Sequence, residues 1–139
     1  MPAAVHDAQA MIAGMEPVLQ PGEFVFCTTC DAALIARAQP QAVASIREAE
    51  GMSLVLARDA AGALGFDTAL PMRCITLTVF SALDGVGLTA AVSGALAGQG
   101  IPCNMVAGFH HDHLFVPSGM AEPALAALRA LQEDPGTGL

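Results

Sequence analysis

The sequence contains no tryptophan, no tyrosine and no lysine. Without the two large polar-tipped aromatics, any core is built from Ala, Leu, Val, Met and Phe. The five basic residues are all arginine, and none precedes Arg37. Only 13% of the chain is charged, and the net charge is −8. That balance repels phosphate backbones and anionic lipid surfaces, so nucleic acid and membrane are excluded as expected partners. The chain also lacks an apolar run long enough to cross a bilayer. Its first fifteen residues, MPAAVHDAQAMIAGM, have neither the basic start nor the continuous apolar stretch of a secretory signal. The expected location is the cytoplasm, where the four cysteines stay reduced and imply no disulfide framework.

What the sequence does have is apolar material. At 54% hydrophobic over 139 residues, it is long enough to bury a sizeable core as one compact unit or two small ones sharing it. The scarcity of charge suggests that part of the surface is covered in an oligomer.

The pattern reads as follows. Residues 5–15 are Ala-rich and read as a helix. PGEFVF is a turn followed by a strand, with Phe24 and Phe26 on one face and Val25 on the other. DAALIARA could supply a helical turn or two before Pro40. VASIREAEGMSLVLA is a hairpin turning at Glu50-Gly51, RDAAGALGF a short helix, and residues 67–71 a linker. In CITLTVF, Ile75, Leu77 and Val79 alternate with Thr76 and Thr78, which predicts a half-buried strand over 74–80. A Gly-rich loop follows. Leu88, Ala91, Val92, Ala95 and Leu96 then form one helical stripe that Gly100 ends as a C′ residue. IPCNMVAGF reads as a strand, HHDH as a turn, HLFVP as the returning strand, and EPALAALRALQ as a final helix with Pro123 in its first turn.

Residues 73–132 therefore read β-α-β-β-α. The first half repeats that order with its first helix degraded, which gives a weak internal repeat.

This order, with LDGVGL between first strand and helix and CN opening the second strand, resembles the ACT domain. PGEFVFC, REAEGMSLVL, ITLTVFSALDGVGLTAAV, CNMVAGFHHDHLFVP and ALAALRAL are similar to successive blocks of a bacterial family of stand-alone tandem ACT proteins of uncharacterised function. The likeness spans roughly residues 15–132. It implies an α+β, ferredoxin-like (βαββαβ-type) fold, with antiparallel sheets and helices on one face. Residues 1–66 would form a degenerate N-terminal domain and 72–139 a C-terminal one. It also implies a ligand class, amino acids, and implies no reaction; the expectation is a regulatory module without cofactor or metal, working as a homo-oligomer (a dimer), with its ligand at a domain or subunit interface. The C-terminal half lacks the fourth strand of βαββαβ. The expectation is that a strand from the first half, with 23–28 the candidate, or from a second subunit fills the vacancy.

The resemblance places ligand contacts on the loop Asp84, Gly85, Val86 and Gly87 with Leu88, and on Asn104 with Met105. By the same repeat, Thr28 and Thr29 would line a site in the first half. Physics alone is less specific. The glycines could let backbone approach a ligand whose carboxylate meets the opening amides of the helix, with Asp84 on its ammonium group. They could equally form an ordinary turn with Asp84 as N-cap. Asn104 could contact ligand or cap its own strand end.

Three further features invite chemistry. His110, His111, Asp112 and His113 are residue types that bind metal, but on a strand only His111 and His113 would share a side, so a polar hairpin turn is the plainer reading. Arg47, beside Glu48 and Glu50, could clamp a carboxylate or simply be solvated. The CxxC of FCTTC lacks a second pair and is followed by Asp31, so it reads as the end of a strand rather than a redox couple. The competing functions are a ligand-free interaction scaffold and a small thiol or metal enzyme.

Overall fold

The structure is a computed structural model and describes residues 3–4 and 7–138. The elements in chain order are α1 (Ala8–Ala13), β1 (Pro17–Leu19), β2 (Phe24–Thr29), α2 (Ala32–Ala38), β3 (Ala44–Glu48), β4 (Gly51–Ala57), α3 (Arg58–Ala63), β5 (Met72–Leu77), α4 (Leu88–Ala97), β6 (Asn104–Ala107), β7 (Asp112–Pro117) and α5 (Ala121–Glu133). The fold is α+β, with antiparallel strand pairs and helices, as the ferredoxin-like reading expects.

The chain divides into two compact units. The first joins the described residues of Met1–Gln20 to those of Arg73–Leu139, and the second is Pro21–Met72. The first is thus discontinuous in sequence, whereas a linear division at 66–72 would assign residues 1–20 to the N-terminal half.

In the discontinuous unit the strand order is β1-β5-β7-β6. The missing fourth strand is supplied by β1, which runs antiparallel to β5 with Pro17 opposite Leu77, Val18 opposite Thr76 and Leu19 opposite Ile75. It comes from the first half of the chain, but from residues 17–19 rather than 23–28. Beyond the strand proper, the Gln20 N–H donates to the Cys74 carbonyl at 2.8 Å and the Thr78 N–H to the Met15 carbonyl at 2.6 Å.

Helices α1, α4 and α5 cover one face. Met11, Ile12, Val92, Leu96 and Leu128 pack there against Ile75 and Leu77 of β5 and Leu114 and Val116 of β7. Each fully buried Leu or Ile contributes about 1.5–3 kcal/mol. Helix α4 buries Leu88, Ala91, Val92 and Leu96 of the stripe that its spacing predicts, and the fifth member, Ala95, packs partly buried against the same core. It ends in a Schellman arrangement around Gly100, whose φ is +70°. There the Ile101 N–H donates to the Leu96 carbonyl and the Gly100 N–H to that of Ala97, both at 3.0 Å.

The contiguous unit has the order β3-β4-β2. Val25 and Cys27 lie opposite Leu56 and Leu54, and these four pack with Ala38 of α2 and Ala61 of α3. Phe26 and Thr28 point the other way and are exposed. Phe24 also pairs with Met72, so the two ends of this unit meet.

Three elements differ from the sequence reading. The N-terminal helix starts at Ala8, capped by Asp7, whose Oδ2 accepts from the Ala10 N–H at 2.9 Å. Residues 5 and 6 lie outside the described set. The strand expected over 74–80 covers 72–77, and Thr76 on its supposedly polar face is only 5% exposed. Partners on both sides explain this: the Gln20 side-chain amide donates to Thr76 Oγ1 at 3.0 Å, and His113 Nδ1 lies 2.9 Å from the same oxygen. The strand expected across 101–109 is confined to 104–107. Pro102 has no N–H for a ladder, and Gly108 already belongs to the turn, its N–H donating to the His111 carbonyl at 2.9 Å.

Candidate functional site

Helix α4 begins without a side-chain cap. Its N-cap residue is Gly87, at φ +114°, a conformation that an L side chain rarely adopts. The plain reading of Asp84 as N-cap therefore fails. The first intrahelical bond runs from the Ala91 N–H to the Gly87 carbonyl at 3.0 Å. The amides of Leu88, Thr89 and Ala90 have no acceptor within the helix and carry its positive dipole end.

These amides open beside a cleft of about 130 Å³. Its walls are Met11 of α1, Ser81, Ala82, Leu83, Gly85 and Gly87 of the loop, Leu88 and Thr89 of α4, Ala107 of β6 and Asp112 of β7. Gly85 is needed for a different reason from Gly87. A Cβ built there would sit 3.1 Å from the Ala82 carbonyl oxygen and 3.3 Å from Met11 Cε and Sδ. A side chain at position 85 would force Met11 or the Ala82 turn to give by a few tenths of an ångström, so the close approach to α1 favours glycine there.

Among the described residues of this lining the one charged group is Asp112, whose Oδ2 accepts from the Ser81 hydroxyl at 3.0 Å. Ser81 is 8% exposed, so this bond fixes the carboxylate from a buried partner. The cleft therefore offers backbone N–H groups for an anion, a carboxylate for a cation, and apolar walls from Met11, Leu88, Ala82 and Ala107.

Of the residues singled out from sequence, the structure brings Gly85, Gly87 and Leu88 together in this cleft. Asp84 lines a neighbouring cavity with Phe80 and Phe109. Val86 is 82% exposed. Asn104 is exposed and donates from Nδ2 to the Phe115 carbonyl opposite it at 3.3 Å, a bond to the neighbouring strand rather than a cap on its own backbone. Met105 packs against the hydrophobic core. Thr28 and Thr29 belong to the contiguous unit, where Thr29 Oγ1 accepts from the Asp31 N–H at 3.1 Å. Met11, Ser81, Thr89 and Asp112 were not singled out as ligand contacts. Asp112 had a signal: strand alternation puts it on the face opposite His111 and His113.

His111 and His113 join hydrogen bonds, and His110 packs against the rings of Phe80 and Phe109. His111 Nδ1 lies 3.4 Å from the Val79 carbonyl oxygen and His113 Nδ1 reaches Thr76. Among the described residues no group of three or more His, Cys, Asp or Glu is placed to hold a metal ion. Burial lowers the His113 pKa from its ordinary 6.5; His111 adds to this and Asp112 opposes it.

The cysteines are all free. Burial, and then the charge of Asp67, raise the Cys27 thiol pKa, and burial raises those of Cys74 and Cys103, with Thr76 acting in the opposite sense on Cys74. A redox CxxC needs its attacking thiol shifted the other way. Among the described residues, no helix is long and apolar enough to cross a membrane.

Known proteins agree with this architecture. ACT domain models match residues 3–73 and 70–130. The chain is 39% identical to VC0802 of Vibrio cholerae, a protein of unknown function described as a possible transport protein. The match covers 87% of this chain and 93% of that one, with a TM-score of 0.76. Protein Atu0741 of Agrobacterium tumefaciens is 22% identical over 84% of this chain and 87% of its own, with a TM-score of 0.68. The regulatory subunit of aspartate kinase from Thermus flavus shares the fold at 11% identity and a TM-score of 0.59, over 82% of this chain and 95% of that one. No curated protein matches. The chain belongs to the ACT domain family and carries two such domains in tandem.

Proposed function

We propose that the chain is a regulatory module that binds a small free amino acid in the cleft at the start of α4, and that it catalyses no reaction of its own. The observation that carries this reading is the pairing of opposite poles within about 130 Å³: the helix-opening amides beside Gly87 and the Asp112 carboxylate held by Ser81. A zwitterion suits that pairing, its carboxylate on the amides and its ammonium on Asp112. Asp112 takes the part that sequence had given to Asp84. The small volume and apolar walls favour a short, uncharged side chain. The likeness to aspartate kinase regulatory subunits supports the regulatory role at the level of fold. We further infer a homodimer, because 13% charged residues is little for a surface wholly in water.

The test is a thermal-shift screen against the twenty amino acids, followed by calorimetry. A ligand at about a hundred times its Kd stabilises by about 2.7 kcal/mol, a shift of several degrees. Asp112→Asn should abolish the shift while leaving the unliganded melting temperature within a few degrees. If no amino acid raises the melting temperature at millimolar concentration, the module is instead a ligand-free scaffold.

A further inference from the structure

One residue in the described lining of the cleft at α4 comes from before β5 in the chain: Met11 of α1. Its side chain is 1% exposed and belongs to the same core cluster as Leu77, Leu88 and Leu128. Met11 therefore shuts the cleft off from the core behind it instead of projecting into solvent. Its thioether end reaches the loop, where Sδ and Cε lie 3.3 Å from the place a Cβ on Gly85 would take. Gly85 lines the same cleft. The other apolar walls differ from this one. Leu83 is 68% exposed, Leu88 is a branched side chain held at 3% exposure, and Ala82 and Ala107 are short. Methionine is unbranched and turns about three bonds, so its end fills a gap that a rigid side chain would leave and yields where one would clash.

We propose that Met11 is the floor of the side-chain subsite and sets the longest side chain that the cleft admits. This rests on the amino-acid reading above and names the class within it: α-amino acids whose side chain is no longer than about two carbons. The ligand's carboxylate on the α4 amides and its ammonium on Asp112 fix both polar ends, which leaves its side chain to the apolar walls. A cleft of about 130 Å³ has little depth to spare. A longer straight chain has to displace the Met11 thioether from Gly85 and from the core, and close-packed interiors resist that. Gly85 marks the same boundary from the loop side. A methyl there takes room in the lining and presses on the end of Met11.

The probes are glycine, alanine, 2-aminobutyrate and norleucine, titrated into the full chain by calorimetry. They share the carboxylate and ammonium and differ only in the length of a straight side chain. Norleucine should bind about tenfold or more weakly than the best of the other three. In Met11→Ala the affinity for norleucine relative to alanine should rise by about tenfold or more. Gly85→Ala should act in the opposite sense and weaken 2-aminobutyrate relative to glycine by about fivefold or more. Circular dichroism checks that both variants fold. Met11→Ala also empties part of the core, so if it does not fold, Gly85→Ala alone decides. If none of the four compounds binds the native chain, the amino-acid reading fails and this proposal falls with it. If they bind and Asp112→Asn abolishes binding, the amino-acid reading stands. The proposal is then overturned if norleucine binds as well as alanine, or if the folded variants keep the native order of lengths.

Discussion

Val18 lies directly opposite Thr76, in a strand pair whose two members are separated by the whole of the contiguous unit. The Gln20 N–H bonds to the Cys74 carbonyl two residues away, so the alternation of antiparallel ladders makes Val18 and Thr76 a hydrogen-bonded pair as well.

Val18→Pro should therefore remove a ladder donor and lower stability by about 1–3 kcal/mol, read from urea denaturation. Val18→Thr, at a position 45% exposed, should change it by well under 1 kcal/mol. Equal effects of the two would show that β1 is not structurally integral.

Thr76→Val keeps the shape but removes the oxygen that Gln20 and His113 share. A loss of about 1–3 kcal/mol is expected, since both partners are left without their bond. Pairing it with Gln20→Ala in a double-mutant cycle should give a non-additive result.

His113 sets a pH dependence. Its folded pKa is below 6.5, so the folded chain prefers the neutral ring. As pH falls through 6.5 the unfolded chain takes up a proton that the folded chain resists, and stability falls with it. It is fully present above pH 6.5 and declines towards the lower folded pKa. His113→Gln should flatten the melting-temperature profile in that window.

Thiol labelling should separate Cys30, which is exposed, from Cys27, which is buried with a raised pKa. Under native conditions at neutral pH, iodoacetamide should modify Cys30 first, with Cys27 and Cys74 reacting only after denaturation. Rapid modification of Cys27, or a reversible Cys27–Cys30 disulfide, would revive the redox reading.

Much of the fold was legible because local signals agreed. The α4 stripe, the Gly100 stop, the Glu50-Gly51 hairpin and the alternation of Phe24 and Phe26 with Val25 are each set by residues near one another in sequence. What escaped was non-local. Pro17–Leu19 is three residues long with no alternation to read, and it is a strand because Ile75–Leu77 lies beside it. Thr76 read as solvent-facing because nothing in its own strand discloses Gln20 or His113. The site divided the same way. Gly85, Gly87 and Leu88 were visible as a loop opening a helix. Asp112 and Ser81 are 31 residues apart and meet only through the sheet.

The strand drawn from residues 17–19 also constrains how the chain can fold. Closing β1 onto β5 from an open chain requires a loop of more than fifty residues to find its ends, an entropic cost that grows with the logarithm of that length. The segment between them is itself a compact unit whose ends meet where Phe24 pairs with Met72. Once that unit has formed, the long loop has become a short one. Early formation of the contiguous unit would thus speed the pairing of β1 with β5, and a defect in the hairpin of β3 and β4 is expected to slow it.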